Sequence, residues 1–206
     1  MAARVAGLIL AGGRGERFGG PKAFAVLPDG RTFLAACGDA LRAGGVALIV
    51  ATLPAPVIDG GASDELPLPV PPGVQAAHLP AAGLAMFDSL QIGFKALLAF
   101  DWERVVVLPV DHPLVRPTTV AALAASEGVA GIATWRSKHG HPVVLDRDLA
   151  EAIGNGRLTG PTLREVLSGA AAVDVAVDDP GVVANCNTPE RLREALVEVP
   201  RRAAKS

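Results

Sequence analysis

Tyrosine is missing from this 206-residue chain, and the whole aromatic content is only 4%. Half of the residues are nevertheless hydrophobic, so a sizeable core is available and must be built mostly from Ala, Val and Leu. Cysteine is nearly absent. Cys37 and Cys186 lie far apart with no metal-ligand spacing, as expected of reduced thiols that serve packing in a cytoplasmic protein. Charge of one sign is also lacking: a formal net charge of −2 gives no global attraction to nucleic acid or to an anionic membrane. No apolar run reaches the roughly 18 to 20 residues that a membrane span needs. The N-terminal apolar stretch is broken too early by glycine and charge to read as a signal peptide. The expectation is a soluble, cytoplasmic protein with neither nucleic-acid nor membrane partners.

What the sequence does have is concentrated at its start. Val5 to Leu10 is apolar and opens into five glycines (Gly12, Gly13, Gly15, Gly19, Gly20) threaded with Arg14, Arg17 and Lys22. Glycine lets backbone N–H groups approach a ligand closely and accepts positive φ. With Arg and Lys added, such a turn is an anion cradle, suited to the phosphates of a nucleotide. Two familiar phosphate loops fail on spacing. The dinucleotide fingerprint would need glycine where Phe18 stands, and the P-loop is broken by Pro21 before Lys22 and by Ala23 after it.

Further along, strands and helices alternate. A helix is predicted over Thr32 to Ala43, ended by Gly44 and Gly45, then a strand over Val46 to Thr52. Residues 53–73, rich in proline, read as a long irregular excursion. A short strand over Val74 to Leu79, a helix within Ala81 to Phe100 and a buried strand over Arg104 to Val110 follow. Pro117 to Ser126 reads as a helix with Pro at its start. Val129 to Trp135 and His141 to Leu145 read as strands around a polar loop, Arg136 to Gly140. Short helices at Asp146 to Ile153 and Pro161 to Leu167 precede a strand over Ala171 to Val177. Thr188 and Pro189 start the last helix, and the tail from Pro200 is expected to fray. Length alone leaves the domain count open. With no repeat and no dividing linker, the pattern implies one three-layer α/β/α domain over 1–206, with a mainly parallel, Rossmann-like sheet. Ligands of such sheets sit outside the carboxyl ends of the strands, which would bring the loops after Leu10, Thr52 and Val110 to one crevice.

Asp111 ends a buried strand and would project into that crevice. A single Asp with water and phosphate oxygens is a usual Mg²⁺ arrangement, because this ion keeps several waters; the alternative is a turn-stabilising Asp before His112-Pro113. His139 and His141 would face the same way on an extended chain, but no third ligand accompanies them, so structural or substrate contacts are preferred over zinc. His112 reads as a satisfied loop histidine, and His78 has no distinguishing context. Asn185 and Asn187 read locally as capping residues before Thr188, and Ser89 as a cap for its helix. Covalent nucleophilic catalysis has no matching motif.

Taken together, LILAGGRGERFGGPKAF, VLPVDHP, GHPVVL and NCNTPERL resemble the MobA-like nucleotidyltransferases that attach GMP or CMP to molybdopterin. The same broader nucleotide-diphospho-sugar transferase fold serves sugar-phosphate and methylerythritol-phosphate nucleotidyltransferases. The resemblance spans nearly the whole chain, and it implies an enzyme that transfers NMP from an NTP to a phosphorylated acceptor. It implies nucleotide contacts at Leu10, Ala11, Gly12, Gly13, Arg14, Gly15 and Lys22, with Arg14 and Arg17 on the phosphates and Lys22 on the α-phosphate. Lys22, Arg17 and Asp111 would carry catalysis, with Asp111 holding Mg²⁺. Gly83 and Ser89 would contact the base, and His141, Asn185 and Asn187 would lie near the acceptor. Ala11-Gly12-Gly13 is similar to the guanylyl form, whereas Gly140-His141-Pro142 and the Val-Asp-Asp-Pro stretch at 177–180 are similar to the cytidylyl branch. That branch would place acids where Asn185 and Asn187 stand. GTP or CTP is therefore the implied donor, GTP first. A sugar phosphate or other small phospho-alcohol is the rival acceptor, and a catalytically silent nucleotide-binding protein is the rival class.

Overall fold

The computed structural model describes residues 4–13, 15, 18, 20–54, 69–80, 84–160 and 162–199. Arg14, Arg17 and Gly83, most of the segment expected to be irregular at 53–73, and the expected tail from Pro200 lie outside them.

Seven strands form one sheet in the order β3-β2-β1-β4-β6-β5-β7. They are β1 (Val5–Leu10), β2 (Leu48–Leu53), β3 (Val74–His78), β4 (Arg104–Pro109), β5 (Ala130–Trp135), β6 (Lys138–Asp146) and β7 (Val173–Ala176). All neighbouring pairs are parallel except those of β6, which runs antiparallel to both β4 and β5. The continuous apolar runs became the central strands because both faces of the sheet are covered. Along β4 the side chains alternate: Val105 and Val107 pack on one face, Val106 and Leu108 on the other, and all four are fully buried.

Helices α1 (Phe33–Ala43), α3 (Pro117–Ala124) and α6 (Pro189–Glu198) contribute to the core on the face of Val106 and Leu108. Helices α2 (Met86–Leu97), α4 (Arg147–Gly154) and α5 (Leu163–Gly169) contribute to the core on the face of Val105 and Val107. The result is the expected α/β/α sandwich, and the large side chains Phe33, Phe94 and Trp102 fill what an Ala- and Val-rich core leaves open. Cap chemistry fixes several boundaries: the hydroxyls of Thr32 and Thr162 and the carboxylate of Asp146 accept the N–H groups of Ala35, Glu165 and Leu149. No helix among the described residues is long and apolar enough to cross a membrane.

The sheet departs from the sequence reading at one place. The polar loop expected over Arg136 to Gly140 is a two-residue turn, because Trp135 pairs with Lys138 and Thr134 with His139. Arg136 and Ser137 take φ values of 48° and 61°, as a tight hairpin of this kind requires. Neither residue is the usual Asn or Gly, so the composition carried no hairpin signal. Strand β6 thus begins three residues earlier than predicted and includes His139.

Asp179 ties the C-terminal segment to α3. Its fully buried carboxylate accepts the Thr119 hydroxyl at 2.7 Å, the Arg116 N–H at 2.8 Å and the Gly181 N–H at 2.9 Å. Removing it strands three donors at once. Asp179→Ala is expected to cost about 3 to 5 kcal/mol of stability, the range for breaking a buried charge network, read as a lowered denaturant midpoint. A loss of less than about 1 kcal/mol, the worth of an exposed pair, would refute this role.

Candidate active site

The first loop leaves β1 beside the switch in strand order, where β2 lies on one side and β4 on the other. Such a switch opens a crevice at the carboxyl ends of the strands. Gly15 makes the loop fold back on itself. Its φ is +62°, and a Cβ there would lie 1.9 Å from the Gly20 carbonyl oxygen and 2.6 Å from the Lys22 nitrogen, so only glycine closes this turn. The Gly15 carbonyl accepts the Phe18 N–H at 2.7 Å. The chain then enters a 3₁₀ turn, Lys22–Phe24, that directs Lys22 back toward the end of β4.

Asp111 lies two residues beyond β4, and its Oδ2 is 3.8 Å from the Lys22 ammonium. Three further contacts fix it, and a fourth holds its neighbour Val110. Oδ1 is 3.1 Å from His112 Nδ1, Oδ2 accepts the Asn185 amide at 3.2 Å, its carbonyl accepts the Cys186 N–H at 2.7 Å, and the Cys37 thiol meets the preceding carbonyl of Val110 at 3.8 Å. Pinned in this way, the Asn185-Cys186-Asn187 segment hands the Asn187 side-chain oxygen to the Lys22 ammonium. Lys22, Asp111, Asn185 and Asn187 therefore form one connected cluster drawn from three remote parts of the chain.

Two cavities meet at this cluster. The smaller, about 340 Å³, is lined by Leu10, Gly12, Gly13, Lys22, Ser89 and Asp111, so it gathers most of the described residues expected at the nucleotide. Ala11 belongs to the core, and its N–H is bonded to the Thr52 carbonyl at 3.1 Å. Ser89 does not cap its helix: it sits in the first turns of α2, with its hydroxyl 3.4 Å from the Ala85 carbonyl. The larger cavity, about 740 Å³, lies on the other side and includes His112, His139, His141, Asn185 and Arg164. His139 and His141 share this face of β6, as their spacing predicts, but they have different partners. His139 pairs with Asp174 at 2.7 Å, and His141 packs edge-on against His112 with ring centroids 4.9 Å apart. No group of three or more His, Cys, Asp or Glu side chains is placed to hold a metal among the described residues. Gly140 permits this arrangement, since a Cβ there would lie 2.1 Å from the Val182 carbonyl oxygen.

Met86 and Arg164 are among the cavity residues that sequence reasoning missed. Met86 borders both cavities, and Arg164 reaches the larger one from α5. Neither stands in a local pattern that signals a ligand, since their positions depend on how α2 and α5 dock.

Charge is finely balanced here. Burial raises the Asp111 carboxyl, but the His112 hydrogen bond and the charges of His112 and Lys22 outweigh it, and its pKa falls below the usual 3.8. His141 is lowered to about 4, by burial first and then by the charges of His112 and Arg164, against the pull of Asp111. It is a neutral imidazole at physiological pH. An NMR titration should place its midpoint near 4 rather than 6.5. Between those values the unfolded chain binds this proton and the native chain does not. Stability from His141 is thus complete above pH 6.5 and is lost as pH falls toward 4. An ordinary midpoint near 6.5 would contradict the packing described. Burial also keeps both cysteines as thiols, pushing Cys186 up to about 12 and Cys37 higher still.

A family model for the MobA-like NTP transferase domain matches residues 7–175. The chain belongs to that family. It is a nucleotidyltransferase, and the family implies an NTP and a small-molecule acceptor as its partners. No curated protein matches the sequence significantly. Among solved structures, the Rv0371c homolog from Mycobacterium sp. strain JC1 is 25% identical with a TM-score of 0.72, over 96% of this chain and 98% of that one. Rv0371c of Mycobacterium tuberculosis H37Rv, solved in complex with manganese, is 22% identical with a TM-score of 0.69, over 95% of this chain and 100% of that one. The 2-C-methyl-D-erythritol 4-phosphate cytidylyltransferase of Thermus thermophilus is 20% identical with a TM-score of 0.60, over 96% and 98% of the two chains. These likenesses establish a shared nucleotidyltransferase fold, as expected from the sequence.

Proposed function

We propose that residues 1–206 act as one domain that moves NMP from GTP or CTP to the phosphate of a small acceptor, with Mg²⁺, releasing pyrophosphate. Molybdopterin is the first acceptor to test. The observation that carries this reading is the cluster of Lys22, Asp111, Asn185 and Asn187 at the mouth of the glycine loop.

The smaller cavity would take the nucleotide, with Ser89 toward the base and Leu10, Gly12 and Gly13 along its path. Arg14 and Arg17 would hold the phosphates, as the family resemblance implies. Lys22 would sit at the α-phosphate, where charge develops as the acceptor oxygen adds and pyrophosphate departs. The residues present suit a hard divalent cation. Asp111 offers a carboxylate, and the neighbouring Asn185 Oδ1 is a buried oxygen with no hydrogen-bond partner among the described residues. Such oxygen donors are what Mg²⁺ prefers. When bound, Mg²⁺ would supply positive charge to the phosphoryl oxygens. The acceptor phosphate is already ionised, so no strong base is needed, in keeping with a neutral His141.

The rival acceptor is a sugar phosphate or another phospho-alcohol, in line with the methylerythritol-phosphate enzyme among the similar folds. A silent nucleotide-binding role is less well supported, because the Lys22 and Asp111 pair has no need to persist in one. The test is pyrophosphate release with each NTP, Mg²⁺ and a panel of molybdopterin, 2-C-methyl-D-erythritol 4-phosphate and sugar 1-phosphates. Release is expected with GTP or CTP and one acceptor. NTP binding without release on any acceptor would overturn the reading.

A further inference from the structure

The larger cavity has a charge pattern that nucleotide transfer does not by itself demand. Among its described lining residues are three histidines and Arg164, but no Asp or Glu. Asp111 opens on the neighbouring cavity instead, and Asp174, the partner of His139, lines an adjoining recess that shares Ser137 with this one. Arg164 is therefore the one permanently charged side chain on this wall among the described residues. It is exposed, and among the ion pairs of the described residues none involves it.

Its field already acts within the site: the charge of Arg164 is one of the influences that keep His141 neutral. A guanidinium offers a planar fork of donors that matches a phosphate in a bidentate way. About half of the wall around it is apolar, through Met86, Ile132, Leu163 and Val183, and the rest is polar. A cavity of about 740 Å³ is within the range that encloses a small organic ligand. A cation beside an apolar strip, with no Asp or Glu on the described lining, fits an anion that carries an uncharged body.

We propose that Arg164 is the residue that selects the acceptor, its guanidinium taking the phosphate monoester of a small organic molecule whose uncharged body lies against the apolar part of this wall. This rests on the transferase reading for the ligand's role as acceptor. Arg164 positions the monoester while one of its oxygens bonds to the α-phosphorus of the NTP. The bond from the α-phosphorus to the bridging oxygen breaks, and its electron pair leaves with pyrophosphate. The reaction needs no further co-reactant.

The test separates binding from turnover. Phenyl phosphate, a phosphate monoester with an apolar body, is titrated calorimetrically into the full chain, into Arg164→Gln and into Arg164→Lys. Loss of a bidentate charge-assisted contact is expected to weaken binding on the order of 10-fold or more in the Gln variant, with partial recovery in Lys. With whichever phosphorylated acceptor supports pyrophosphate release, KM for the acceptor should rise by a similar factor while KM for the NTP stays within about 2-fold. Arg164 is exposed, so equal thermal melts are expected and serve as the folding control. Phenyl phosphate binding that ignores Arg164, or an NTP KM that rises in step with that of the acceptor, overturns the proposal. If no acceptor is turned over and phenyl phosphate binding still depends on Arg164, the anion site stands and the transferase reading falls.

Discussion

Asp111→Ala should lower turnover about 100-fold or more, the scale seen when a focused electrostatic stabiliser is removed. The carboxylate is held by His112 and Asn185 and faces Lys22, so its position is fixed before any ligand arrives. The cost of aligning it is already met by the fold. Asp111→Asn keeps the shape and removes the charge, and it should lose most of the same activity. The NTP should still bind through the glycine loop, which makes this a loss in kcat more than in affinity. Turnover near that of the unaltered protein would show that Asp111 serves the turn rather than the metal.

Lys22→Met is expected to be comparably damaging, about 100- to 1,000-fold in kcat. Methionine preserves length and removes the ammonium. Lys22 is held between Asp111 and Asn187, and it is the cation on the lining of the smaller cavity among the described residues. A second readout comes from charge coupling. Lys22 is one of the groups that lower the Asp111 carboxyl, so without it the acid limb of residual activity should move to higher pH. An unchanged rate, or a rise in KM for the NTP alone, would place Lys22 outside the reacting centre.

The parts of this site that could be read from sequence are those fixed by strong local physics. The runs Val5–Leu10 and Arg104–Pro109 are largely apolar, so they had to be central strands, and the residues that follow them had to share a crevice. Asp111 and the glycine loop were legible for that reason. Asn185 and Asn187 were ambiguous, because asparagine before a helix usually caps it. In the folded chain Thr188 takes the capping role, accepting the Arg191 N–H at 3.2 Å, and both asparagines are left to reach Asp111 and Lys22. Other features had no local signal. The tight turn at Arg136 and Ser137 uses residues that rarely take positive φ. Asp179 is defined by partners some 60 positions away in sequence. Arg164 reaches its cavity through the docking of α5, which the helical pattern alone does not orient.

Following the label of an NTP tests the central claim most directly. With the acceptor that supports pyrophosphate release, [α-³²P]NTP should pass its label to the acceptor, and [γ-³²P]NTP should pass its label to pyrophosphate. Both transfers should slow together, by about 100-fold or more, in Asp111→Ala. Label from the γ position appearing as orthophosphate, with none from the α position on the acceptor, would identify a nucleoside triphosphatase and contradict the account.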